Sequence, residues 1–175
     1  MEPETEHVIL VDEQDREIGR AEKLSVHRGE GQLHRAFSAM VCDDRGRVML
    51  QKRAVGKYHF GGLWTNTCCG HPRPGETVEA AGRRRLNEEM GLDIELHEVG
   101  VFPYEADDEA TGLREREIDH VLRGHFDGEP RPNPDEADAW RWASAHEIDR
   151  ELADHPERFT PWFPLVWRVF QNTSA

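Results

Sequence analysis

The segment from Glu76 to Met90 constrains the fold of this chain more than any other. Val78, Gly82, Leu86 and Met90 recur at every fourth residue, the spacing that lines one face of an α-helix, and Gly91 follows where a left-handed cap belongs. Segments patterned as strands lie on both sides of it. Ahead of the helix, residues 7–12 (HVILVD) and Glu17 to Lys23 form an opening hairpin around the polar turn 13–16. His34 to Asp43 and Arg47 to Arg53 flank a second turn at Asp44, Arg45 and Gly46. Gly56 to Gly75, rich in Gly, Pro and aromatics and without a period, reads as a loop of the kind that houses function. Behind the helix, Leu92 to Tyr104 and Ile118 to Phe126 read as strands separated by a polar loop from Glu105 to Arg114, and a shorter strand spans Ala137 to Trp142. Ser144-x-x-Glu147 matches a capping box ahead of a helix to about Ala153, and Thr160 to Gln171 reads as an aromatic-rich terminal helix. Strands before and after a central helix, without regular βαβ alternation, predict an α/β sandwich around a mixed sheet rather than a doubly wound parallel one.

No repeat or linker divides the 175 residues, and a chain of this length can bury roughly 70% of its unfolded surface in one core. One domain over 1–175 is therefore expected. No apolar run approaches the ~18 residues of a spanning helix, and Met1-Glu2-Pro3-Glu4 is acidic where a signal peptide is basic. A cytoplasmic protein with no membrane partner is expected. Lys and Arg total 22 against 35 Asp and Glu, a net charge of −13 that repels nucleic-acid phosphates, so nucleic acid is not an expected partner. Of three cysteines, Cys68 and Cys69 are neighbours, where a disulfide is badly strained. A reducing compartment follows, with thiols serving as core, ligand or catalyst.

Several residues carry chemistry. Glu115 and Glu117 enter a predicted strand two residues apart, which puts both carboxylates on one face, and two like charges that close need a metal or one shared proton. In TNTCCGH an extended backbone sends Cys69 and His71 toward one site, and only one of Cys68 and Cys69 can point there. His27 and His34 bracket an Arg/Gly/Glu/Gly loop. With His71 and the two carboxylates they form a set suited to zinc, manganese or magnesium. Taken singly, these residues read equally as a solvated acidic edge, a small buried thiol and ordinary loop histidines. Lys23, Arg53, Lys57 and Arg85 are local cations in a very acidic chain, of the kind a diphosphate needs.

The run Gly70 to Leu92 fits the Nudix box, G-x5-E-x7-R-E-U-x-E-E-x-G-U, at Gly70, Glu76, Arg84, Leu86, Glu88, Glu89, Gly91 and Leu92, with Arg85 in place of a glutamate. A cation where Nudix hydrolases carry a metal-binding carboxylate argues against pyrophosphohydrolysis and leaves diphosphate binding open. LVDE at Leu10 to Glu13, LHRAFS, QKRAVGK, GLWTNTCCGHP, Glu115-Arg116-Glu117 and TPWF complete a pattern from about Val8 to Phe170 that resembles the type I isopentenyl-diphosphate isomerases of the Nudix superfamily.

The resemblance implies a Nudix-type α/β/α sandwich that interconverts isopentenyl and dimethylallyl diphosphate through a tertiary carbocation. Cys69, rather than Cys68, and Glu117 are then the acid and base, in an order the sequence leaves open. Tyr104 tunes the proton supply, and Trp162 faces the carbocation. The resemblance further implies one tightly held divalent metal (Zn, Mn or Mg) on His27, His34, His71, Glu115 and Glu117. A second, substrate-borne magnesium is held partly by Glu89, and the diphosphate by Lys23, Arg53, Lys57 and Arg85.

Overall fold

The central helix forms as its pattern requires. α1 spans Val78–Met90; the Thr77 hydroxyl accepts the backbone N–H of Ala80, and Gly91 closes the C-terminus in the left-handed region at φ 68°. Glu76 lies just ahead of the helix rather than in it, and its carboxylate accepts two hydrogen bonds from Arg84. At Gly82 a Cβ would stand 2.6 Å from Leu122 Cδ1 and 2.9 Å from Leu96 Cδ1. Only glycine lets α1 lie that close to the sheet.

A computed structural model describes residues 6–57 and 59–173; the acidic run Met1 to Glu4 lies outside them. Its strands are β1 (His7–Val11), β2 (Glu17–Glu22), β3 (His34–Cys42), β4 (Val48–Arg53), β5 (Trp64–Thr65), β6 (Cys68–Gly70), β7 (His97–Asp108), β8 (Leu113–His125) and β9 (Ala137–Ala143), all in one sheet. β3 is the axis. It runs parallel to β8 from His34↔Glu117 to Cys42↔His125, and antiparallel to β6 at Ser38↔Cys69. β1 and β4 meet its two ends, while β4 carries β5 and β9. One parallel pair among antiparallel ones makes the sheet mixed, as the sequence predicts.

Both faces of β3 are covered, which explains why its residues are almost all buried. Phe37, Ala39 and Val41 pack under α1 with Leu86 and Met90. Met40 and Cys42 point the other way, into a core with Ile148 of α2 (Ala145–Asp154) and with Phe163, Val166 and Phe170 of α3 (Phe163–Asn172). Each such large side chain contributes roughly 1.5–3 kcal/mol when fully buried. The capping box of α2 is present, with Ser144 and Glu147 each accepting the other's backbone N–H.

Elsewhere the element bounds differ from the pattern. The polar loop expected from Glu105 to Arg114 is mostly ladder: β7 continues to Asp108 and β8 begins at Leu113. Charged side chains do not interrupt it because they pair across it, Glu105 accepting from Arg114 and Arg116. Conversely, Leu92 to Leu96 is not strand, although Leu92 and Leu96 are buried in the core beside α1. The 56–75 loop contains the short strands β5 and β6. The terminal helix begins at Phe163, since the Thr160 N–H is bonded to the Trp64 carbonyl and Trp162 only precedes the first turn.

Candidate active site

β3, β8, β6 and the 3-10 turn Ser25–His27 bring a group of polar side chains to one end of the sheet. His27, His34, His71 and Glu117 each offer an atom within 4.8 Å of all the others. His27 Nδ1 donates to the Lys23 carbonyl and His34 Nδ1 to the Gln32 carbonyl, both at 2.8 Å. A carbonyl can only accept, so Nδ1 carries a proton in each ring, and the tautomer able to ligate turns its Nε2 lone pair inward. His34 Nε2, buried and without a hydrogen bond among the described residues, stands 3.3 Å from Glu117 Oε1. A lone pair facing a carboxylate is repulsive unless a cation lies between them, and three imidazoles with a carboxylate fit a divalent metal. His71 Nε2 lies 3.0 Å from the same oxygen.

Charge states follow from the surroundings. Burial opposes ionisation of Glu117, but a proton on the facing Nε2 of His34 or His71 outweighs it, as a metal ion there would, and holds the carboxyl well below the usual range. Burial also lowers His27, and takes His71 down to about 3. Glu115 shares the face of Glu117 but not the four-residue cluster. Its carboxylate contacts Nε2 of His59, which is 6% exposed. Burial and then the charge of Glu117 push Glu115 well up, while burial and then Arg53 push His59 down to about 2.

The pleat of β6 separates the two adjacent thiols. Cys68 is buried beneath α1, whereas Cys69 lines a cleft with His71, Lys57 and Arg85. Burial pushes the Cys69 thiol up to about 12, so it stays protonated. Trp162 closes this region: its ring lies 6.2 Å from that of Tyr104 and 5.5 Å from that of Phe60, and the Arg53 guanidinium sits 5.4 Å above it. Tyr104, opposite Glu117 in the β7–β8 ladder, has a buried hydroxyl with no hydrogen-bond partner among the described residues. Burial, then Glu115 and Glu117, raise its pKa.

The four cations converge on the same cleft, each already engaged. Lys23 pairs with Glu6 at 3.0 Å; Lys57 pairs with Glu136 and stands 3.9 Å from Glu89. Arg85 reaches Glu89 at 2.6 Å and Glu136 at 3.3 Å, and Arg53 donates to the His59 carbonyl at 3.1 Å. The cleft has a volume of about 40 Å³, room for a few waters.

Comparison with known proteins gives this site its family. The NUDIX domain model matches residues 32–163. An isopentenyl-diphosphate Delta-isomerase of Halorhodospira halophila is 49% identical over 159 residues, covering 90% of this chain and 91% of that one. One of Nocardia farcinica is 50% identical over 162 residues, covering 93% of each. The chain belongs to the isopentenyl-diphosphate isomerase family of the Nudix superfamily. In fold alone, the isomerase is similar to DR0079 from Deinococcus radiodurans, with TM-score 0.75 at 20% identity over 94% of this chain and 99% of that one.

Three buried groups of the isomerase escape a motif reading. Asp119 continues the period of Glu115 and Glu117, the one signal that could have found it; Ser38 donates to it at 2.8 Å, and burial and then Glu117 push it well up. His59 lies in an aperiodic stretch with no spacing to tie it to Glu115. Asn66, inside TNTCCGH, contacts both Cys69 and Trp162.

Proposed function

We propose that Cys69 and Glu117 are the acid–base pair with which this isomerase interconverts isopentenyl and dimethylallyl diphosphate. Moving the double bond requires a proton added at one carbon and another removed elsewhere, through a tertiary carbocation. A resting thiol that keeps its proton and a carboxylate that has lost its own form a matched donor and acceptor. Each exchanges role when the reaction reverses. The observation that carries the assignment is the position of Cys69, and not Cys68, in a cleft shared with His71 of the histidine–Glu117 cluster and with the cations.

The other residues take roles their surroundings support. The Trp162 face stabilises the cation, an attraction that strengthens as Phe60 and Tyr104 exclude water. Tyr104 supplies a hydroxyl beside the carboxylates. Lys23, Arg53, Lys57 and Arg85 orient the diphosphate, and Glu89 holds part of the magnesium that the substrate brings. His27, His34, His71 and Glu117, with Glu115 released from His59, would hold one tightly bound zinc, manganese or magnesium ion, whose charge keeps Glu117 ionised and fixed in orientation.

The same reading takes 1–175 as one domain, supported by a single sheet. It places the protein in the cytoplasm, supported by free Cys42, Cys68 and Cys69. Among the described residues, no helix is long and apolar enough to cross a membrane. Incubation with isopentenyl diphosphate and magnesium in deuterated water tests the function: dimethylallyl diphosphate carrying deuterium is expected, and release of inorganic phosphate without isomer would overturn it.

A further inference from the structure

Asn66 sits fully buried between β5 and β6. Its Nδ2 donates to the carbonyls of Ala39 at 3.2 Å and Cys68 at 2.8 Å, so the amide can face only one way and Oδ1 points toward the cleft. Three donors converge on that oxygen: Cys69 Sγ at 3.2 Å, Trp162 Nε1 at 3.1 Å and Thr65 Oγ1 at 2.8 Å. An amide oxygen has two in-plane lone pairs. Thr65 has a second partner in Thr160 Oγ1 at 2.8 Å and can turn its hydrogen there. The indole N–H has no such alternative on its own ring, and among the described residues the other hydrogen-bond contact of the Cys69 sulfur, with Ser38 Oγ, is long at 4.0 Å.

We propose that Asn66 is a positioning residue for the isomerisation, its one amide oxygen fixing both the torsion of the Cys69 thiol and the plane of the Trp162 ring. A thiol side chain has three staggered wells and an indole two or more allowed planes. Anchoring both to one atom sets the proton-exchanging sulfur and the cation-facing ring at a constant separation before substrate arrives. Among the described residues Asn66 hydrogen-bonds to neither the diphosphate-binding cations nor the histidine cluster, so its contribution falls on the chemical step. The inference rests on the assignment of Cys69 and Trp162 to that step.

Steady-state kinetics of Asn66→Ser test it. Serine is too short to hold both donors, and a displacement on the order of 1 Å lowers kcat by about 100-fold, while KM for isopentenyl diphosphate stays within about threefold. Adding Trp162→Phe, which keeps an aromatic face but lacks the N–H, costs less in the Asn66→Ser background than in the wild type. An infrared difference spectrum, wild type minus Cys69→Ala, isolates the Cys69 S–H stretch and shows a hydrogen-bonded thiol; this measurement decides the matter even if Asn66→Ser does not fold. A free-thiol band, an unchanged kcat in Asn66→Ser, or a loss confined to KM would overturn the positioning role. Full activity in Cys69→Ala would instead remove the catalytic assignment and the inference with it, and is told apart by that variant alone.

Discussion

Cys68 and Cys69 differ in nothing but the side of a strand on which each falls. Cys69→Ala is expected to abolish isomerisation with the melting temperature and pyrophosphate affinity nearly unchanged, because the proposed role of the thiol is on carbon and, among the described residues, its hydrogen bonds go to Asn66 and Ser38 and not to the cations proposed for the diphosphate. Cys68→Ala should keep most of the activity and lose about 1 kcal/mol of stability, as small buried deletions do. Activity and thermal melting of the two variants check this, and the reverse order of activity loss would remove Cys69 from the reaction. The histidines make a second prediction at this scale. A protonated imidazole cannot ligate, and burial holds His27 below its ordinary pKa and His71 at about 3. Protons therefore compete for the lone pairs only at lower pH than at an exposed histidine site. Affinity for a divalent ion, measured against a competing chelator, should fall as the pH is lowered, and the fall should begin at a lower pH than at a site of exposed histidines. Full metal retention in both His34→Ala and Glu115→Gln would strike these two residues from the ligand set.

At the scale of elements, α1 carries Arg85, the residue that departs from the Nudix box, and it presents that side chain to Glu88, Glu89 and Glu136. Arg85→Glu replaces this cation with a fourth carboxylate. A charge-assisted contact is worth roughly 1.5–3 kcal/mol, so KM should rise about tenfold or more, with little phosphate release. An unchanged KM would reduce Arg85 to a helix-surface partner of Glu89. α1 was legible in the sequence because one pattern fixed its apolar face and its C-cap together, and the mixed sheet because strand patterns flanked it. The far arm of the β7–β8 hairpin was not, since its Glu and Arg residues lack hydrophobic alternation and are held by cross-strand pairing. At the site, spacing and family motifs gave the histidines, Cys69 and the carboxylates. They could not give the His59–Glu115 contact, or the hub at Asn66, because both join segments far apart in sequence that meet only in three dimensions.

For the molecule as a whole, a net charge of −13 surrounds a cleft in which Lys23, Lys57 and Arg85 are already paired with Glu6, Glu89 and Glu136, and Arg53 is engaged with the His59 carbonyl. A bare polyanion approaches against the field and finds little surplus positive charge, that of Arg53 alone among the four cations. With the tight metal site kept loaded, inhibition by pyrophosphate should therefore be weak without free magnesium and strengthen as magnesium is raised, until the pyrophosphate is fully complexed. Inhibition insensitive to magnesium would contradict this. With the roles proposed for Lys57, Arg85 and Glu89, the internal ion pairs would act as a sieve. A stray sulfate or phosphate ion has nothing to offer Glu89 and Glu136 in return for their lysine and arginine, whereas a diphosphate that arrives with its own cation would complete a change of partners: its oxygens would take Lys57 and Arg85, and the released carboxylates the ion it carried.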